Sequence, residues 1–246
     1  MLGFHGGLKR SSTFVAAIAI LGFAALPTAA APPVDMAIVV SFDRSESVDQ
    51  EEAKIQIDGL IFALKHPKLL AAVKSGRLGR IAVSVVTWSS FRKHHVVLPW
   101  TQIAAGADAE RASTILLRDL DRQLTAVHGS QTDVAFGIHI ATKQLEVLPW
   151  EADRQLINMV GDGRSNIGQV AIVDRDVALD RGITINALIS AQGSAIRVLS
   201  TYFREEVIGG PSAFVQITNN NGDFAQAMLR KMLLEISLHQ DPRQRG

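Results

Sequence analysis

Met36-Ala37-Ile38-Val39-Val40-Ser41-Phe42 runs straight into Asp43-Arg44-Ser45-Glu46-Ser47. The first part is apolar, rich in β-branched residues and too short for a helix. It predicts a strand buried on both faces, as at the centre of a parallel sheet. The second part is dense in hydroxyls and carboxylates at the point where a strand turns into a helix. Val48 to Lys65 then places Ile55, Leu60, Ile61 and Leu64 at helical spacing behind Asp49, Glu51 and Glu52, and acids in a first turn complement the helix dipole.

The alternation continues outward. Ile81 to Trp88 predicts a second strand, and Val96 to Trp100 a short partner that pairs with it as a hairpin edge. Helices are expected over Ala109 to Leu124 and Asp133 to Leu145. A strand at Gln155 to Val160 and a helix at Val170 to Leu179 come next. The chain then reads as strand (Ile183 to Ile189), helix (Ala195 to Phe203), strand (Ala213 to Ile217) and closing helix (Phe224 to Leu238). Strands alternating with helices imply βαβ crossovers, hence an α/β domain with a mainly parallel sheet, helices on both faces and one antiparallel edge strand.

The first residues read as a processing signal: Lys9 and Arg10, an apolar run from Phe14 to Leu26, then Pro27, Thr28 and Ala29 to Ala31. The run is shorter than the about 20 residues a bilayer-spanning helix needs. The expected organisation is a signal peptide over 1–30, one domain over 31–238 and a polar tail over 239–246. There are no cysteines, which excludes a disulfide framework and a lipid-modified cysteine. The 25 Lys and Arg nearly balance the 24 Asp and Glu, and without Lys9 and Arg10 the count is 23 against 24. A nucleic-acid footprint is therefore not expected, nor is stable membrane insertion after cleavage, and the product is expected in the periplasm or outside the cell.

In open sheets of this type ligands bind beyond the carboxyl ends of the strands. Three segments reach that edge: Asp43 to Ser47, Gly129-Ser130-Gln131-Thr132-Asp133, and Gly161-Asp162-Gly163. Hydroxyl and carboxylate oxygens without thiolate or imidazole suit a hard cation. Mg²⁺ is expected first, then Mn²⁺ or Ca²⁺. Capping explains the same hydroxyls one at a time: Ser47 with Gln50 fits a capping box, and Thr132 fits an N-cap. A dinucleotide loop at Gly161 fails, because Asn166 stands where its last glycine belongs. His94 and His95, adjacent on a strand, point to opposite faces. Neither a G-x-S-x-G elbow nor a phosphate loop occurs.

Asp43-x-Ser45-x-Ser47, Thr132 and Asp162-Gly163 together resemble the metal ion-dependent adhesion site of von Willebrand factor A domains. Val86-Thr87-Trp88-Ser89, Gly129 to Thr132, Gly161-Asp162-Gly163 and Val207-Ile208-Gly209-Gly210-Pro211 resemble an uncharacterised family of exported bacterial proteins carrying that domain. The resemblance implies a Rossmann-like von Willebrand factor A fold. It also implies that Ser45, Ser47 and Thr132 coordinate the ion, while Asp43 and Asp162 act mainly through water. One coordination position is then left for a carboxylate of a partner protein. Glu46 departs from the family's usual glycine at this place. The expected role is a non-enzymatic, cation-dependent binding module; a metal-assisted hydrolase using the same site is the alternative.

Overall fold

The computed structural model of the chain describes residues 1–3, 32–90, 92–125, 129–219 and 221–240. Most of the expected signal peptide over 1–30 and most of the expected tail over 239–246 lie outside the described residues. The chain divides into two units, Met1–Ala30 and Ala31–Gly246. The second holds every strand and helix of the described residues.

Strand β1 (Met36–Asp43) is buried at all eight positions. It is flanked by β2 (Ile81–Trp88) and β4 (Gln155–Gly161) in a six-stranded sheet of order β3-β2-β1-β4-β5-β6, where β5 is Thr184–Ser190 and β6 is Val215–Thr218. All neighbours run parallel except β2 and β3 (His94–Ile103). β3 extends beyond the expected Val96 to Trp100, because its ends carry His94, His95, Thr101 and Gln102, and apolarity marks only its middle. An edge position also accommodates Pro99, which has no N–H for a ladder.

Alternate side chains of β1 feed two cores. Met36, Ile38, Val40 and Phe42 pack with Ile57 and Leu60 of α1 (Gln50–Lys65), Leu116 of α3 (Gly106–Thr125), and Met228 and Met232 of α7 (Phe224–Gln240). Ala37 and Val39 face Ile138 and Ala141 of α4 (Val134–Glu146), Ala178 of α5 (Ala171–Leu179), and Leu199 and Tyr202 of α6 (Ala195–Tyr202). One element escapes the sequence reading: α2 (Pro67–Lys74) begins with proline at its first turn, is capped by His66 and buries Leu69 and Val73. A π turn, Phe203–Val207, prolongs α6.

Helix α4 lies unusually close to β2. A β carbon on Gly137 would sit 2.4 Å from the Trp88 ring, and Ser41 Oγ donates to the Gly137 carbonyl at 3.2 Å. The crossover from β1 leads to β2 on one side, while β4 lies on the other and leads to β5. The carboxyl ends of β1 and β4 thus form the point where the strand order reverses, where a crevice is left open.

Candidate metal centre

Asp43 is the last residue of β1 and fully buried. Its Oδ1 accepts the Ser45 N–H at 2.8 Å, a side-chain turn that reverses the backbone after the strand. The Ser45 and Ser47 hydroxyls then lie 3.1 Å apart, and Ser47 Oγ donates to Asp162 Oδ1 at 3.0 Å. Neither serine is needed to start α1, whose cap is Asp49, accepting the Glu52 N–H at 2.8 Å. The capping-box reading of Ser47 with Gln50 is therefore corrected.

The third segment is fastened to the other two through its backbone. Thr132 N–H donates to Asn166 Oδ1 at 2.9 Å, and the Asn166 N–H returns to the Thr132 carbonyl at 3.0 Å. Ser165 Oγ accepts from Val134 N–H at 2.9 Å. Asp133 N–H and Gly129 N–H reach the carbonyl and hydroxyl of Ser89. The cap of α4 is Asp133, accepting from Phe136 N–H at 3.0 Å, so the N-cap reading of Thr132 is corrected too. Thr132 Oγ1 stands 4.0 Å from where a Gly163 β carbon would be, and Asp43 Oδ2 stands 3.6 Å from the same point on Gly161. Hydrogen bonds join Asp43, Ser45, Ser47 and Asp162, and Thr132 lies across the glycine next to Asp162. All five expected residues are brought to one edge of the sheet.

The electrostatics are those of crowded, desolvated acid. Burial pushes the Asp43 carboxyl up to about 7, with the Asp162 and Glu52 charges adding and hydrogen bonds from Ser45 opposing. Its Oδ2 has no hydrogen-bond partner, a costly state for a buried carboxylate oxygen. Burial likewise raises Glu52 to about 7, helped by Asp162 and Asp49. Arg44, whose N–H donates to the Trp88 carbonyl at 2.7 Å, is lowered to about 10 by burial, against the pull of Asp43 and Glu52.

Glu52 is the residue that sequence reasoning missed. Its only signal is a place in the acidic first turn of α1, which reads equally well as dipole complementation. Glu46, the departure expected to bear on the site, is exposed.

The residues fit a hard cation. Among the described residues no group of three or more His, Cys, Asp or Glu side chains is arranged to hold a metal. The donors here are instead three hydroxyls and two carboxylates, and the orphaned Asp43 Oδ2 is the atom such a charge would satisfy. Ser45, Ser47 and Thr132 would hold the ion, with Asp43 and Asp162 compensating its charge.

Residues 33–240 match the family model described as "Protein of unknown function (DUF1194)". No curated protein matches the chain significantly. Among solved structures, the vWF domain of the type V pili tip protein Mfa5 from Porphyromonas gingivalis aligns with a TM-score of 0.58 at 11% identity, over 87% of this chain and 98% of that one. Proximal thread matrix protein 1 from the mussel byssus aligns with a TM-score of 0.57 at 18% identity, over 83% of this chain and 48% of its own. That mussel protein has also been solved with a zinc-occupied MIDAS motif. The pilus adhesin SpaC from Lactobacillus rhamnosus GG gives 0.55 at 12%, over 84% and 31%. The chain thus spans about half the mussel protein and a third of the adhesin. At these identities the likeness is one of fold, and the fold is that of von Willebrand factor A domains.

Proposed function

This chain belongs to the family described as "Protein of unknown function (DUF1194)", and on that premise we propose that it is an exported, cation-dependent protein-binding module that captures a carboxylate of an envelope or extracellular partner. The observation that carries the reading is the buried, unpartnered Asp43 Oδ2 beside a hydroxyl relay ending on Asp162. That arrangement is unfavourable for the protein alone and favourable around a divalent cation. Ser45, Ser47 and Thr132 hold the ion through neutral oxygens, and the bound ion supplies a positive charge for an incoming acid. Mg²⁺ is the ion the donor set suits first, with Mn²⁺ or Ca²⁺ also compatible. Export is supported by the basic and apolar pattern of the first residues. Among the described residues no helix is long and apolar enough to cross a membrane. The pilus adhesin SpaC and the pili tip protein Mfa5, which share the fold, agree with a binding role here.

The test is capture of partners from an envelope extract by the immobilised protein, with Mg²⁺ and with EDTA. The reading expects partners that appear only with Mg²⁺; identical partner sets under both conditions would remove the ion from recognition.

One observation favours a second reading, a metal-assisted hydrolase. Glu52, raised to about 7 beside the site, has the proton affinity of a general base working near neutrality. Turnover of phosphate esters or peptides with Mg²⁺ or Mn²⁺, abolished in Glu52→Gln, would establish that reading in place of the first.

A further inference from the structure

Two cavities of opposite character flank the candidate metal centre. One, of about 340 Å³, is lined by Asp162, Gly163 and Arg164 of the loop after β4 and by Ala195, Val198 and Leu199 of α6. It begins at the carboxylate that takes the Ser47 hydroxyl and continues over apolar side chains, of which Val198 is 54% exposed. Its walls are fixed to each other: Ser165 N–H donates to Tyr202 Oη at 3.4 Å, Tyr202 Oη donates to Ser165 Oγ at 3.3 Å, and the Arg164 guanidinium lies 4.9 Å from the centre of the Tyr202 ring.

The other cavity, of about 370 Å³, is lined by Asp133, Phe136, His139, Gln169 and Asp174. Both its carboxylates are buried, and Asp174 already engages His139 at 3.2 Å and Gln169. An acidic chain leaving the metal centre in this direction meets like charge in a poorly hydrated place. Towards α6 it meets the guanidinium of Arg164, which lies 4.0 Å from Glu206 Oε1, and Arg197 stands exposed on α6. Charge therefore selects the direction, and the apolar lining selects the side chain.

We propose that the cavity between the β4 loop and α6 is a specificity subsite, which takes an aliphatic side chain next to the carboxylate of an acidic protein segment. The inference rests on the carboxylate-capturing reading above and adds to it the chemistry of the partner. At about 340 Å³ the cavity sits at the lower end of the roughly 300–1,000 Å³ of ligand pockets, room for one or two side chains. The apolar lining of Ala195, Val198 and Leu199 favours leucine, isoleucine or valine beside the acid over a charged side chain, which would lose its hydration there.

The test is a magnetic resonance titration of the full mature chain with short Gly/Ser peptides carrying one aspartate, flanked by leucine on either side or by serine only. In Mg²⁺ the better leucine peptide is expected to bind about tenfold more tightly than the serine peptide, a difference that burial of part of one aliphatic side chain supplies. Ala195→Phe, which fills the cavity from an exposed position, and Val198→Ser are each expected to shrink that ratio. Equal affinities in Mg²⁺, or a leucine advantage unchanged in both variants, would overturn the subsite and leave carboxylate capture standing. Failure of every peptide to bind the unmodified protein in an EDTA-sensitive manner would overturn carboxylate capture, and the subsite with it.

Discussion

The Ser47 hydroxyl donates to Asp162 Oδ1 at 3.0 Å across 115 residues of chain, tying the loop after β1 to the loop after β4. The bond exists because β1 and β4 are neighbours in the sheet, with Phe42 opposite Val160. Each partner residue is exposed enough to exchange this contact for another, so the bond marks where a shared ligand would be inserted.

Ser47→Ala removes one hydroxyl from the site and nothing from the cap of α1, which is Asp49. Mg²⁺ affinity is expected to fall by about 10- to 100-fold. Stability without metal should change by no more than about 0.5 kcal/mol. Titration calorimetry and denaturant unfolding in EDTA read the two effects separately.

Asp43 gives a pH dependence of defined sign. Its folded value of about 7 lies above the ordinary 3.8, so in EDTA the unfolded chain ionises first and stability drains away between pH 4 and pH 7. Glu52 contributes in the same direction. Asp43→Asn removes its share, so the variant gains on the parent as pH rises through that window. The same variant should lose the Mg²⁺-dependent rise in melting temperature. Urea unfolding from pH 4 to pH 8, with and without Mg²⁺, checks both.

Capping and ligation separate cleanly. Asp49→Ala is expected to cost about 1 kcal/mol of stability with Mg²⁺ affinity retained. Thr132→Ala should do the reverse, because the α4 cap is Asp133. A Thr132→Ala protein with unchanged Mg²⁺ affinity would strike Thr132 from the ligands. Glu46→Gly is expected to keep Mg²⁺ binding, since the Glu46 side chain is exposed; its complete loss by calorimetry would make Glu46 a ligand.

Inside α7 a fully buried Lys231 pairs with a fully buried Glu235, which also accepts from Asn186 Nδ2 at 3.0 Å. Burial lowers the Lys231 amine, and the Glu235 carboxylate opposes this. Lys231→Met removes the ammonium that compensates this buried acid, leaving it the Asn186 and Asn158 amides and the more distant charge of Arg154, and is expected to cost about 3 kcal/mol. Adding Glu235→Gln, which keeps an acceptor for Asn186, should recover most of the loss in denaturant unfolding.

The core strands are readable because burial on both faces leaves an unbroken apolar run, as in Met36 to Phe42. The features that escape reading depend on partners distant in sequence. The polar residues near the ends of β3, His94, His95, Thr101 and Gln102, belong to the sheet only through pairing with Trp88, Thr87, Val83 and Ala82. The capping roles go to Asp49 and Asp133, each a position or two beyond the serine and threonine whose local pattern fits a cap. That pattern does not tell which oxygen faces its own helix and which faces another loop. Glu52 becomes part of the site only because the first turn of α1 is brought up to Asp162, a residue more than a hundred positions away.

The contact between Gly137 and the Trp88 indole reaches further than packing. Helix α4 starts immediately after Thr132 and Asp133, so its distance from the sheet fixes how far the third loop stands from the first two. A methyl group at position 137 would lever the whole helix outward and carry Thr132 with it. The bore of the site is thus gauged by a hydrogen on a residue that touches no ligand, and a single added carbon there would widen it without altering any oxygen that lines it.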